Sequence, residues 1–399
     1  MCLASSRVSD IKGNQTSLQS ALQLELFSVL PTIAADWQLK WGPVVWKNEQ
    51  ENAETGPENA WYIAFHPRLQ FEDGSVHPTY VIAIAGTPQK SLYVWQKQNF
   101  AVNSVTDFKA WINDGIRNHP RMVLPKDLVK GRAYIATGTV NTVHLLLTTP
   151  APKGAVSSGT TLLDFIFNLD KSRSSRFITT GHSLGGALAP SLALSLALAD
   201  HISTDNTLTY PAAGPSPGNI EFADLFVQTF PCRKLAGAAS YQGWNLNLVN
   251  TLDVVPHAWS SDSSISPKQN LRNIATLYGE PTLQSVAWSV SFAENWSKSS
   301  CVSYRPLPSQ YFTGTPLSAT PTTIAEFLQI LIPQHTQAYI DNVGITIPPL
   351  NKSQVLRAGL TEKTEDEIRS NYPLIVDFEW AREHPKAAQE EEEKVEGTA

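Results

Sequence analysis

Apolar and polar segments alternate through the chain in a way that predicts strands and helices in turn. Two short apolar runs, PVVWK and AWYIAFHP, predict strands, and the continuous run TYVIAIAGT at 79–87 predicts a strand buried on both faces. Further strands are predicted at SRFITT, NTLTYPAAG and WNLNLVNTLD. Each of these later runs is followed by a turn residue or a helical pattern.

Helical spacing of apolar residues predicts the elements between the strands. Helices are predicted at 20–40, DFKAWINDGIRNH, TLLDFIFNLDK, GGALAPSLALSLALADH and NIEFADLFVQTF, whereas TVNTVHLLLTT fits a strand or the start of a helix. Because strands and helices alternate, we expect an α/β fold with a mainly parallel central sheet and helices on both faces. Residues 258–320, rich in serine and aromatic residues, allow no such assignment.

Both ends of the chain differ from this pattern. Residues 1–20 are polar, and we expect them to form a flexible N-terminus. The acidic run Glu390–Glu393 predicts a disordered tail at 386–399. The N-terminus lacks a charged region followed by an apolar region, so as written the chain is expected to be cytoplasmic, and a secreted mature form stays open.

The amino-acid composition of the chain argues against several classes of protein. The 399 residues carry a net charge of −6 without a dense basic patch, which argues against a nucleic-acid partner. The three cysteines, Cys2, Cys232 and Cys301, are too few and too far apart for a disulfide framework. The most apolar helical run, ALAPSLALSLALA, is shorter than the roughly 20 residues that span a bilayer, so no transmembrane segment is expected.

The stretch TTGHSLGGA at 179–187 contains the pattern Gly-x-Ser-x-Gly around Ser183. It follows a β-rich run and opens a helix, the setting in which a serine sits on a sharp turn with its hydroxyl exposed. Gly181 and Gly185 leave room for the turning backbone. We therefore expect Ser183 to be a nucleophile, with a capping serine in a glycine-rich turn as the alternative.

A serine nucleophile needs a base, and the partners are expected in the order serine, acid, histidine. Asp253 is the best-placed acid because it follows the strand NLNLVN, whereas Asp224 lies in a predicted helix and Asp262 in a serine-rich loop. His335 is the expected base. His257 is the alternative, but it would share one loop with the acid.

Two backbone amides are expected to bind the oxyanion of the reaction. Leu184 follows the serine at the start of a helix, and Thr87 ends an earlier strand. After Thr87, the aromatic and apolar residues Leu92, Tyr93, Trp95 and Phe100 stand among polar ones. Leu92 and Trp95 are three residues apart, as on one face of a short helix that covers an apolar pocket; an ordinary core helix is the alternative.

Taken together, these residues resemble the class 3 lipases, the family of filamentous-fungal triacylglycerol lipases. The matching motifs are TGHSLGGALA, PAAGPSPGNIEFADLF, VNTLDVVP, HTQAY and AIAGT, in order over about 80–340. In AIAGT, Ala85 stands where the family usually has a basic residue.

The resemblance implies an α/β-hydrolase fold with a Ser183–Asp253–His335 triad, no metal, no cofactor and a lid at the stretch that follows Thr87. It implies one domain over 21–385, with segments extra to the family at about 258–320 and 345–385. The expected activity is ester hydrolysis on a lipid at an oil–water or membrane interface, with triacylglycerol as substrate. The alternatives are a phospholipase A1, a feruloyl-type esterase, and a catalytically silent lipid-binding module.

Overall fold

The structure is a computed structural model, and it describes residues 1–88, 91–169, 175–239, 241–346 and 361–362. The strands are β1 Ile11–Lys12, β2 Gln38–Trp46, β3 Asn59–Gln70, β4 Val76–Ile84, β5 Val105–Asp107, β6 Met122–Val123, β7 Tyr134–Ala136, β8 Arg176–His182, β9 Thr207–Ala212, β10 Gly218–Asn219, β11 Asn247–Asn250, β12 Tyr304–Arg305, β13 Ser309–Phe312 and β14 Thr361–Glu362. The α-helices are α1 Cys2–Ser5, α2 Gln15–Ile33, α3 Leu92–Val94, α4 Phe108–Asp114, α5 Thr137–Thr148, α6 Leu162–Phe167, α7 Leu184–Leu198, α8 Ile220–Thr229, α9 Gln284–Ser299, α10 Ile324–His335 and α11 Gln337–Val343.

A seven-stranded sheet in the order β13-β11-β9-β8-β4-β3-β2 forms the centre of the fold. Neighbouring strands are parallel from β13 to β4, and β3 pairs antiparallel with both β4 and β2. The predicted α/β class with a mainly parallel sheet is confirmed. Since β8, β9 and β11 run in the same direction, their carboxyl ends meet at one edge, where ligands bind in open α/β sheets.

Alternating side chains of the sheet fill two apolar layers, one on each face. Ile63 and Ile82 pack in the layer beneath α5 and α7, whereas Tyr62 and Val81 pack in the layer beneath α2. This alternation follows from the two-residue period of a strand. Helix α7 is buried almost all round, which explains why small and leucine residues fill it.

The N-terminus differs from its prediction. Residues 1–20 were expected to be flexible, but Val8, Ile11 and Leu18 are fully buried against the α2 face of the sheet. Helix α2 begins at Gln15, with the Asn14 side chain accepting a hydrogen bond from the Ser17 backbone amide. Because residues 1–20 are mostly polar, the burial of these few apolar residues was not predicted. The residues that they pack against lie far away in the sequence.

The region 258–320, which the sequence left unassigned, contains α9 and the edge strands β12 and β13. Its apolar residues form a third cluster, including Trp259, Leu271, Val290 and, from α10, Phe327. Among the described residues, no helix is long and apolar enough to cross a bilayer. The predicted tail at 386–399 and most of the predicted extra segment at 345–385 lie outside the described residues.

Candidate active site

The turn Gly181–Gly186, here called the serine turn, joins the end of β8 to the start of α7. Ser183 lies at its apex with φ of 60°, in the left-handed region that few residues other than glycine occupy. Its backbone amide donates to the Ala212 carbonyl at 3.0 Å, and its carbonyl accepts from the Gly186 amide at 2.8 Å. A strained backbone of this kind costs on the order of 1–3 kcal/mol and persists where its surroundings enforce it.

The glycines of the serine turn are required by close packing of backbone against backbone. A Cβ atom on Gly181 would lie 2.1 Å from the Gly185 carbonyl oxygen, and one on Gly186 would lie 2.4 Å from the Ala212 carbonyl oxygen. Neither neighbour is a side chain that can rotate away. The turn therefore holds Ser183 between β4, β8 and β9 with little freedom.

Asp253 lies just past the end of β11 and is completely buried. Its Oδ2 atom accepts hydrogen bonds from His335 Nδ1 at 2.8 Å and from the Tyr339 hydroxyl at 2.7 Å. Its Oδ1 atom accepts from the Val255 amide at 2.9 Å. Three donors satisfy the buried carboxylate and fix its orientation toward the imidazole.

His335 is the last residue of α10, and its side chain is 14% exposed. The residue therefore lies at the negative end of the helix dipole. Tyr339 follows on α11, so this pair of helices supplies both side chains that contact Asp253. This second contact was not predicted from the sequence, and the four-residue spacing from His335 to Tyr339 in HTQAY is the signal that could have indicated it.

His182 is a further residue of the site, and no sequence pattern indicated a role for it. Its Nε2 atom lies 2.7 Å from the His335 backbone carbonyl, and the two imidazole rings are 4.6 Å apart. Burial, with a smaller contribution from the charge of His335, lowers the pKa of His182 to about 3. The ring is therefore neutral at pH 7 and donates Nε2–H to that carbonyl. No local pattern identifies a contact across 153 positions.

The loop that follows β4 lies directly against the serine turn. A Cβ atom on Gly86 would lie 2.8 Å from the His182 carbonyl oxygen and 3.2 Å from Ser183 Cβ. Thr87 comes next, and its Oγ1 accepts a hydrogen bond from Asn99 Nδ2 at 3.0 Å. This contact uses a lone pair of Oγ1 and leaves its O–H free to act as a donor.

Ser183 and His335 border one cavity of about 360 Å³. Gly86 and Thr87 form part of its rim, and the walls are mainly apolar side chains. These include Val254, Trp259, Leu271, Val286, Val290, Ile324, Phe327, Leu328 and Leu331. An apolar cavity with a few convergent polar groups suits the alkyl part of a small ligand.

The family model "Lipase (class 3)" matches residues 81–262. The match includes the end of β4, Thr87, the serine turn and Asp253, and of these Thr87 and Ser183 line the cavity. Over these residues the chain is similar to the class 3 lipases. The match supports a carboxylic ester hydrolase.

Two solved structures can be compared with this fold. The crystal structure of M37 lipase has a TM-score of 0.59 at 22% identity, over 86% of this chain and 91% of that one. A lipase from Rhizopus microsporus var. chinensis has a TM-score of 0.37 at 16% identity, over 65% of this chain and 68% of that one. The likeness to M37 lipase supports the α/β-hydrolase fold. Among curated proteins, none matches the chain.

The other aspartates and histidines considered from the sequence lie elsewhere in the hydrolase. Asp224 pairs with Arg305, and Asp262 accepts hydrogen bonds from the amide and hydroxyl of Ser264. His257 is buried away from the cavity surface, and burial lowers its pKa. Its Nδ1 has no hydrogen-bond partner among the described residues.

The segment Ser91–Phe100, here called the cover segment, runs past the mouth of the cavity. It comprises α3 and a π-helix at Trp95–Asn99. Trp95 and Phe100 line the cavity, whereas Leu92 is 54% exposed. Tyr93 packs against Trp46 at 5.4 Å between ring centroids.

The structure thus separates Leu92 and Trp95, which the sequence placed together over the pocket. Of the two, Trp95 borders the cavity and Leu92 faces solvent. The cover segment also has a fixed end. The amide groups of Gln98 and Asn59 exchange hydrogen bonds at 2.8 and 3.0 Å.

A second cavity, of about 520 Å³, lies at the opposite edge of the sheet. Arg176 and Leu208, from the amino ends of β8 and β9, are among its lining residues. It includes none of the predicted site residues. Within the described part of the chain, no group of three or more His, Cys, Asp or Glu side chains could hold a metal ion.

Proposed function

We propose that the chain is a triacylglycerol lipase that cleaves esters through an acyl-enzyme on Ser183. The observation that carries the proposal is the position of Ser183 at a strained strand-to-helix turn, beside an apolar cavity that His335 also borders. In this proposal Ser183 Oγ attacks the ester carbonyl and His335 Nε2 takes its proton. The imidazole then returns the proton to the leaving alcohol, and water releases the acid.

Asp253 and Tyr339 act on His335 in this proposal, not on the substrate. The carboxylate orients Nδ1–H and stabilises the imidazolium that forms, and the Tyr339 hydroxyl holds the same oxygen in place. His182 donates a hydrogen bond to the backbone carbonyl of His335 and so holds that part of the backbone in place. The base is thus held both at its ring and at its backbone.

The tetrahedral oxyanion is assigned to the amides of Thr87 and Leu184. Leu184 is the first residue of α7, where backbone N–H groups and the helix dipole favour negative charge. The Thr87 hydroxyl is a third donor, since Asn99 leaves its O–H free. Loss of one such donor costs on the order of 3–4 kcal/mol in the transition state.

The lack of basic side chains among the described residues that line the cavity supports a neutral glyceride as substrate. None of the described residues that line it is Lys or Arg, which would bind the phosphate of a phospholipid. Its many branched and aromatic side chains suit an acyl chain. Transfer of such a chain from water stabilises the complex by roughly 0.8 kcal/mol per buried CH₂.

The proposal is tested with Ser183→Ala and a panel of three substrates. Wild type is expected to hydrolyse emulsified triolein faster than phosphatidylcholine or ethyl ferulate and to be labelled by a fluorophosphonate probe. Ser183→Ala is expected to lose hydrolysis and labelling while melting at nearly the same temperature. Substantial activity in the folded variant would refute the role of Ser183. Faster cleavage of phosphatidylcholine or ethyl ferulate would instead favour a phospholipase A1 or a feruloyl-type esterase.

A further inference from the structure

The N-terminal segment forms one wall of the cavity that contains Ser183. Leu3, Ser6, Ser9 and Asp10 line this cavity, and they are here called the N-terminal wall. They lie more than 170 positions before Ser183 in the sequence, and polar composition gave no sign of their contact with the site. The segment is therefore positioned to contact a bound ligand.

The N-terminal wall is held against the core. Residues that alternate with it, including Ala4, Val8 and Ile11, are buried in the apolar layer beneath α2. Arg7 forms an ion pair with Glu25 of α2 at 2.8 Å, and both side chains are less than 10% exposed. Detaching the segment would leave Glu25 buried without this partner, so the contact ties the segment to α2.

Asp10 gives the N-terminal wall a negative charge. Among the described residues that line the cavity, it is the only Asp, Glu, Lys or Arg. Asp10 is exposed, which places its carboxylate at the solvent side of the lining. A single charge beside low-dielectric walls acts on any charged ligand that enters.

We propose that Asp10 is a specificity-determining residue that makes the cavity favour neutral lipids over anionic ones. The inference rests on the proposed lipase function and deepens it. A neutral ester enters past the carboxylate without electrostatic cost. The fatty-acid anion that hydrolysis produces is repelled by Asp10, which favours its release and limits product inhibition.

The test compares the binding of two ligands that have the same chain length and differ in charge. Octanoate is an anion, and octanamide is its neutral counterpart. Their Kd values are measured by calorimetry at pH 8 and low salt, below the concentrations at which they aggregate. Asp10→Lys is the main variant and Asp10→Asn the intermediate one. Asp36→Lys is the matched control, because Asp36 is also exposed but does not line the cavity.

Asp10→Lys is expected to lower the Kd of octanoate by about three- to tenfold and to leave that of octanamide nearly unchanged. Asp10→Asn is expected to give a smaller decrease, and Asp36→Lys almost none. Added salt is expected to shrink the difference. Each variant is checked by its melting temperature, which should match that of wild type.

Equal octanoate affinities in Asp10→Lys and Asp36→Lys would overturn the inference, as would failure of wild type to bind octanamide. Binding is measured without catalysis, so the two proposals fail separately. If wild type hydrolyses no ester yet Asp10 sets the ratio of the two Kd values, the proposed function is lost and the selective cavity remains. If wild type hydrolyses triolein and the ratio does not change, only the role of Asp10 is lost.

Discussion

The serine turn and the cover segment border the same cavity under very different constraints. In the serine turn, backbone packs against backbone so closely that a single added carbon at Gly181 has no space. In the cover segment, the hydrogen bonds of Gln98 and Asn99 hold one end, while Leu92 extends into solvent at the other. One side of the cavity is fixed by backbone packing in the sheet, and the other is held by side-chain contacts of Val94, Gln98 and Asn99.

This difference matches the two demands of the proposed ester hydrolysis at a lipid surface. Attack on a carbonyl requires the reacting groups within a few tenths of an ångström of their working positions. Entry of a large apolar substrate requires part of the cavity to open, and segments with few buried contacts open most readily. The chemistry is thus expected on the side fixed by backbone packing, and access on the side that is held by side chains.

The largest expected effect is on kcat/KM, and it distinguishes His335 from His257 as the catalytic base beside the serine turn. His335→Ala is expected to lower kcat/KM by about 10³- to 10⁴-fold, because it removes the proposed base. His257→Ala is expected to lower it far less, since His257 is buried off the cavity. Rates with p-nitrophenyl butyrate, corrected for the folded fraction, provide the measurement. If His257→Ala were the more damaging variant at the chemical step, the base would have been misassigned.

The second effect is on stability and probes the packing of the serine turn. Gly181→Ala places a Cβ 2.1 Å from a backbone oxygen and is expected to lower the free energy of unfolding by more than about 3 kcal/mol. Gly74→Ala is the control, because Gly74 has a φ of 80° with no atom within 4 Å. That variant is expected to lose only about 1–2 kcal/mol from the unfavourable φ. Urea denaturation distinguishes the two, and equal losses would mean that the turn adapts more easily than its contacts indicate.

The smallest effect concerns the cover segment. If this segment opens at a lipid surface, Trp95→Ser is expected to slow hydrolysis of emulsified triolein by about tenfold. It should largely spare p-nitrophenyl acetate, which is small and soluble, and the melting temperature should stay nearly the same. Leu92→Ser is the companion variant for the exposed face. Equal losses on both substrates, together with a large fall in melting temperature, would instead identify the segment as ordinary core.

The comparison also separates what the sequence could predict from what it could not. The strand before Ser183 and the helix after it follow from local patterns, because both are apolar and are joined by glycines. The placement of Asp253 follows from the rule that ligands collect at strand ends. In these parts of the chain, the conformation of each residue depends mainly on its neighbours in sequence.

The remaining features depend on contacts between distant parts of the chain. Val8 and Ile11 are isolated apolar residues in a polar stretch, and their burial depends on a sheet that begins after residue 37. The ambiguous stretch 139–149 lies in α5 up to Thr148, and its apolar residues pack in the same core cluster as those of α7. In the cover segment, local spacing predicted one continuous helical face, but the backbone widens into a π-helix at Trp95.

His182, a residue of the site, makes the stability of the whole fold depend on pH in the acid range. In the unfolded chain its imidazole takes up a proton near the ordinary value of 6.5, whereas burial and the nearby His335 lower its pKa in the folded protein to about 3. Between these two values the unfolded state binds the proton and the folded state does not. Stability present above pH 6.5 is therefore lost as the pH falls toward 3, by roughly 1 kcal/mol per pH unit. The same buried ring that holds the backbone of His335 makes the hydrolase thermodynamically sensitive to acid.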